Sequence, residues 1–436
     1  MPKDIPAYPE QLPTIRPNLE ERTYTIQIVT PLFGGGVEPG EPDFAMPIRG
    51  TAIRGHLRFW WRATRGAACS TPQILFQQEA EVWGTTDKAS PVIVEVRKSQ
   101  TANPKPCAEY KPKNDGKWRL QWKPPFNEKD SALPYVLFPF QGKFNKERQS
   151  IEKAPSLFIE CGSFVLGLRF PKSLRRDVEV ALWAWLNFGG LGARTRRGCG
   201  ALFCQALAPQ NVTELAHWYK TWGGTTVHSI REWPTLPNRF LYYQTLQTPL
   251  AAWEAAIKLL QEFRQSAGIG RNPGQLPRRP GRSRWPEPET IRCVTGQRSA
   301  QHQRLAHIPD DAFPRAEFGL PLIFHFQGQG EPPDTTLYPV VQEECKERMA
   351  SPLIIKPLAL AADKAIPIIL RLTTPLLEQV DLRKDDQSLK LFSIPAIRDP
   401  RLRTYQHSPL AYAESGSALD AFLAFVRSRD YKEVRR

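Results

Sequence analysis

Gly189–Gly200 reads Gly-Gly-Leu-Gly-Ala-Arg-Thr-Arg-Arg-Gly-Cys-Gly, five glycines and three arginines in twelve residues. Glycine lets a backbone take positive φ and approach a ligand closely. The planar guanidinium fork matches phosphate. Gly189, Gly190, Gly192, Arg194, Thr195, Arg196, Arg197, Gly198 and Gly200 therefore form a candidate grip for a phosphate backbone, against the alternative of a solvated loop. A second glycine cluster, Gly34, Gly35 and Gly36, follows a strand-like run. Arg54, Arg58, Arg62 and Arg65 recur at i, i+4, i+8 and i+11, with no acidic residue from Phe44 through Gln78. Such like charges repel along a helix, so the stripe predicts either a bound anion or carboxylates arriving from elsewhere in the fold. The acid-free stretch 268–286 carries Arg271, Arg278, Arg279, Arg282 and Arg284 among four glycines and four prolines. It is expected to build no core and to leave its charge free for phosphate.

Evidence for catalytic chemistry is thin. The chain has no His-Glu-x-x-His, no Gly-x-Ser-x-Gly and no Gly-Lys-Ser/Thr ending to a glycine loop, which argues against zinc hydrolysis, a nucleophile elbow and a P-loop. The seven cysteines, at 69, 107, 161, 199, 204, 293 and 345, include no Cys-x-x-Cys pair and no zinc spacing. No metal or cofactor is expected, and the thiols predict a reducing, cytoplasmic setting. His56, on the arginine-bearing segment, is the one candidate general base, positioned to activate a ribose 2′-hydroxyl in metal-independent RNA cleavage. The alternative is a helix histidine touching a phosphate or a neighbouring unit.

The chain of 436 residues carries a net charge of +15 and 42 prolines. That charge favours a polyanionic partner, nucleic acid or an anionic membrane surface. Proline at roughly twice its usual share predicts many irregular connections. Apolar runs such as 133–140 and 366–372 are too short to span a bilayer. The N-terminus shows no basic segment followed by an apolar core, so neither a signal peptide nor a membrane partner is expected.

The elements that must position these residues follow from periodicity. Thr23–Thr30 alternates as a strand. A helix starting near Thr51 carries Ile53, Leu57, Trp60 and Trp61 on one stripe, with the two tryptophans read as core. Pro91–Arg97 is a strand. Residues 98–156 form a long polar insertion rich in lysine. Ser156–Phe170 reads as one long, bent strand with Gly162 and Gly167 as bulge positions. A helix over Ser173–Phe188, capped by Ser173, leads into the glycine–arginine loop, and Ala201–Ala206 is a strand. This order is the βαββαβ pattern. Asn238–Gln247, Phe318–Gln327, Leu353–Leu360 and Ile366–Thr373 read as strands, Pro249–Ser266 as an amphipathic helix and Ala418–Arg436 as a closing helix. The fold class expected is α+β, two ferredoxin-like units, the second distorted, over residues 1–215 (insertion 98–156) and 216–436 (basic loop 268–286).

Thr30-Pro-Leu-Phe-Gly-Gly-Gly, Pro47-Ile-Arg-Gly-Thr-Ala-Ile-Arg-Gly-His-Leu-Arg-Phe-Trp-Trp-Arg and the loop 189–200 together resemble the RAMP superfamily of CRISPR proteins. Within it they are most similar to the first-subunit family of the type III-B (Cmr) RNA-guided effector complexes. Gly281-Arg-Ser-Arg-Trp-Pro-Glu-Pro and Arg315-Ala-Glu-Phe-Gly-Leu-Pro-Leu-Ile-Phe add to the likeness. The resemblance implies two ferredoxin-like units and a non-slicing subunit that holds the guide RNA 3′ end near the target RNA, beside other Cmr subunits. It implies that the glycine–arginine loop grips RNA, with Arg49, Arg54, Arg58 and Arg62 alongside and Gly34–Gly36 packed close. Cys199 stands where the family carries a bulkier residue, and His56 where relatives often carry glutamine, which argues against an essential base. Two rival functions are a metal-independent endoribonuclease with His56 as base and a protein-only scaffold whose basic faces meet acidic subunits.

Overall fold

The computed structural model describes residues 18–37, 40–43, 45–114, 117–145, 147–223, 230–274 and 281–436. Two βαββαβ units build it. In the first, β1 (Leu19–Ile28), α1 (Gly50–Ala63), β2 (Ile93–Thr101), β3 (Gly162–Pro171), α2 (Arg175–Phe188) and β4 (Leu202–Phe203) follow one another along the chain. The antiparallel sheet runs β4-β1-β3-β2. Alternation sends Tyr24, Ile26 and Ile28 of β1, with Phe164, Leu166, Leu168 and Phe170 of β3, to one face. There they meet Ile53, Leu57, Trp60 and Trp61 of α1 and Val178, Leu182 and Trp185 of α2. The opposite face, with Glu21, Thr23, Thr25 and Arg169, is exposed.

The second unit repeats the plan with β5 (Arg239–Tyr242), α3 (Pro249–Gln265), β6 (Leu353–Ala359), β7 (Ala365–Arg371), α4 (Ala418–Arg427) and β8 (Lys432–Arg435). Its sheet runs β6-β7-β5-β8, the same order read from the other edge. Every residue of β6 is buried, because both faces of this sheet are covered. Leu353 and Ile355 face Trp253, Ile257 and Phe422 of its own helices. Ile354 and Leu358 join the core of the first unit, next to α2. That double cover explains why α2 is buried all the way from Val180 to Phe188.

Several expectations are corrected. The stretch read as one bent strand over 156–170 is two strands, Leu157–Ile159 and β3, in different sheets. The helix read from Ser173 starts at Arg175, after a 3-10 turn, without a side-chain cap. Thr51 likewise does not cap α1, whose N-cap is Arg49. Phe318–Gln327 contributes only the strand Leu322–Phe324 to a separate sheet with Thr335–Val341, Gln379–Lys384 and Gln387–Ser393. The segment read as a single closing helix, Ala418–Arg436, is α4 plus the strand β8. Asp430, at a φ of 61°, lies in the turn between them. Missing that strand is what made the second unit look irregular.

Candidate nucleic-acid interface

The glycine–arginine loop joins α2 to β4 and is tightly folded. Leu191 N–H donates to the Gly200 carbonyl at 2.9 Å, and Gly200 N–H to Pro31 at 2.9 Å. The buried Thr30 hydroxyl donates to the Gly198 carbonyl at 2.6 Å and accepts from Ala201 N–H at 2.8 Å. The other glycine turn touches it: Ala193 N–H donates to Phe33 at 2.6 Å, and a β-carbon on Gly35 would stand 3.6 Å from the Gly192 α-carbon. A β-carbon on Gly192 would sit 2.2 Å from the Phe33 carbonyl oxygen, and one on Gly198, where φ is +88°, 2.4 Å from the Trp253 ring. Here glycine is required by the protein's own packing.

The arginines divide. Arg197 donates to the Leu353 carbonyl at 2.7 Å and to the Ser351 hydroxyl at 2.9 Å, while its own carbonyl accepts from Trp253 Nε1 at 2.5 Å. Arg196 donates to the Ser351 carbonyl. Both therefore tie the first unit to the second. Burial, with Arg194 and Arg264 as neighbouring cations, lowers the Arg197 pKa to about 9, still charged at neutral pH. Arg194 differs. It takes the left-handed conformation, at a φ of 55°, which few non-glycine residues adopt. Its Nε is buried without a hydrogen-bond partner, and its guanidinium lies 5.5 Å from the ring centroid of Phe138, an exposed side chain. Among the described residues no carboxylate pairs with Arg194, Arg196, Arg197 or nearby Arg264. The open edge of the site is Gly35, Gly36, Arg49, Gly192, Arg194, Thr195 and Phe138; Arg49 donates to the Gly35 carbonyl.

The arginine stripe of α1 meets partners within the protein. Arg58 Nε and Arg62 meet Glu79 at 2.6 and 2.8 Å, Arg65 meets Asp177 at 3.2 Å, and Arg54 donates to the Trp83 carbonyl at 3.0 Å. Glu79, on the helix Pro72–Trp83, is the first acid after the acid-free run. The carboxylates do arrive from elsewhere in the fold. The ends of the basic loop do so too. Arg282 pairs with buried Glu289 at 2.7 Å, and Arg284 donates to Asn272 Oδ1 at 2.7 Å. Arg271 donates to the Gly281 carbonyl at 3.4 Å. Arg278 and Arg279 lie outside the described residues. His302, its side chain 38% exposed, meets buried Glu331 at 2.5 Å. His56 stacks on Trp185 with centroids 6.0 Å apart, and burial lowers its pKa, keeping it neutral.

Lys356 escaped the sequence reading. It sits mid-β6, fully buried, and donates to the Gly189 carbonyl at 2.6 Å, where the loop leaves α2. Burial lowers its pKa to about 7. The signal was visible: one cation inside Leu353-Ile-Ile-Lys-Pro-Leu. No group of three or more potential metal ligands occurs among the described residues, and no helix there is long and apolar enough to cross a membrane.

Residues 25–203 match the RAMP superfamily. Over 197 residues the chain is 26% identical to the CRISPR system Cmr subunit Cmr1-2 of Pyrococcus furiosus, an alignment covering 43% of this chain and 96% of that protein. The crystal structure of Cmr1 from Pyrococcus furiosus (apo form) aligns with a TM-score of 0.46 at 16% identity, over 96% of this chain and 98% of that one. A chain from the cryo-EM structure of the type III-B Cmr-beta bound to cognate target RNA aligns with a TM-score of 0.44 at 12% identity, over 94% of this chain and 100% of that one. The stretch that matches the RAMP superfamily, residues 25–203, runs from within β1 to the end of β4 and takes in both glycine turns.

Proposed function

We propose that this chain is a non-catalytic, RNA-holding subunit of a type III-B Cmr ribonucleoprotein complex acting in CRISPR antiviral defence. Its partners are guide RNA, held near the 3′ end, target RNA and the other Cmr subunits. Both βαββαβ units are read as ferredoxin-like. The RAMP match and the likeness to a Cmr subunit support the complex. One observation carries the RNA reading: four arginines gather at the glycine loop with no carboxylate among the described residues to neutralise them, and Arg194 keeps a buried, unpartnered Nε beside exposed Phe138. Uncompensated charge of that kind draws a polyanion. The ridge of touching glycine turns lets a sugar–phosphate backbone approach the main chain. The buried face of the second sheet is filled by the first unit, which leaves the junction ridge as the contact.

Affinity for single-stranded RNA is expected to be sequence-tolerant and salt-dependent. Arg194→Ala removes one phosphate contact, so the slope of log K against log salt becomes shallower by about 0.7, without a lower Tm. An unchanged slope in a fluorescence-anisotropy salt series refutes the assignment. Labelled precursor RNA incubated with the protein and EDTA is expected to stay intact; cleavage that vanishes in His56→Ala would establish the nuclease reading instead.

A further inference from the structure

The lysine-rich insertion carries a second surface that the glycine–arginine loop does not explain. Strand Ala108–Pro112 pairs antiparallel with Trp118–Trp122, in the register Glu109↔Gln121, Tyr110↔Leu120, Lys111↔Arg119 and Pro112↔Trp118. Alternation then assigns two faces. One carries Tyr110 and Trp118, which pack on Phe144 at centroid distances of 5.5 and 5.2 Å and seat the hairpin on its neighbour, Lys143–Asn145 with Ser150–Lys153. The other carries Glu109, Lys111, Arg119 and Gln121, continued by Lys113 and Lys123. Lys111 and Lys123 share the single carboxylate of Glu109, at 2.7 and 3.1 Å. Arg119 has no ion-pair partner among the described residues. Lys111, Lys113 and Arg119 are exposed.

This face works against the hairpin's own stability, because like charges directly opposite across a ladder destabilise it. Lys111 opposite Arg119 is such a pair. The adjoining hairpin also sets Lys143 opposite Lys153, with Glu152 meeting Lys143 at 3.0 Å. A cationic face kept unbalanced fits an anionic partner. We propose that the outer face of the 108–122 hairpin docks the sugar–phosphate backbone of single-stranded RNA. Alternate residues of one strand rise about 7 Å, which sets Lys111 and Lys113 at a spacing comparable with successive phosphates of an extended strand. This rests on reading the chain as an RNA-holding subunit and gives that RNA a second contact, outside the RAMP ridge.

The test uses the full chain and fluorescein-labelled oligouridine in an anisotropy salt series, comparing wild type, Lys111→Ala/Arg119→Ala and Arg194→Ala. Loss of two phosphate contacts makes the log–log slope shallower by about 1.4, which means about sevenfold less sensitivity between 50 and 200 mM salt. Relief of the like-charge pair leaves Tm unchanged or higher, which separates a binding defect from misfolding. A double variant with wild-type slope, alongside a weakened Arg194→Ala, overturns the hairpin assignment and leaves the loop reading standing. Wild-type binding by both variants overturns both. A double variant that loses affinity for polyglutamate but keeps it for RNA also overturns the proposal, in favour of an acidic protein partner.

Discussion

Replacing Lys356 with methionine tests the electrostatics of the junction between the units. The ammonium is fully buried and its pKa falls from 10.5 to about 7. At about 1.36 kcal/mol per pKa unit, holding the charged form inside costs on the order of 5 kcal/mol relative to the unfolded chain. The sign follows from proton counting. Between the folded and unfolded pKa values the unfolded chain binds the extra proton, so stability rises with pH from about 7 to about 10.5, and the penalty is complete below 7. Methionine fills much of the same volume without that penalty but leaves the Gly189 carbonyl without its donor, a loss of about 1–3 kcal/mol. Lys356→Met is therefore expected to be more stable than wild type by about 2–4 kcal/mol at pH 6. By pH 10 the wild-type penalty has shrunk to about 1 kcal/mol, and the advantage vanishes or reverses. Urea unfolding of both proteins across this pH range reads the difference, since other titrating groups cancel between them. A difference that stays constant with pH, or a variant less stable than wild type at pH 6, refutes the claim that a strained ammonium sits at this junction.

Other perturbations follow from the same geometry. Gly198→Ala drives a β-carbon to 2.4 Å from the Trp253 ring at a φ of +88°, and should cost about 2–4 kcal/mol, visible as a lowered Tm. Glu79→Ala strips Arg58 and Arg62 of their common partner. Because those arginines are 35% and 33% exposed, the expected loss is about 1–2 kcal/mol rather than that of a fully buried pair. RNA affinity in Glu79→Ala should not fall; a fall larger than threefold would mean that the α1 stripe and its acid shape the RNA site.

Much of the first unit was legible along the chain. Alternation in β1 and the apolar stripe of α1 are local patterns, and the core roles of Trp60 and Trp61 follow from their spacing. The place of the glycine–arginine loop, after a long apolar helix and before a short strand, was equally plain. The second unit was harder, because β8 is four residues long and its Lys-Glu-Val-Arg alternates too briefly to stand out from a helix end. Its identity depends on pairing with β5, nearly two hundred residues earlier by the register Phe240↔Val434.

What the sequence by itself determined is the charge and the local scaffold: excess cationic charge, glycine turns at strand and helix ends, and amphipathic periods that any folding of this chain must bury. What only the tertiary structure decided is which cations are spent on the protein itself. Arg58 and Arg62 look as free as Arg194 in one dimension. Glu79 neutralises the first two, Leu353 and Ser351 take up Arg197, and Arg194 is left with an unpartnered Nε. The physical reason is that charge is a local property of the residue, whereas its compensation is set by distance in space. The groups that supply it lie 17 to 156 positions away along the chain.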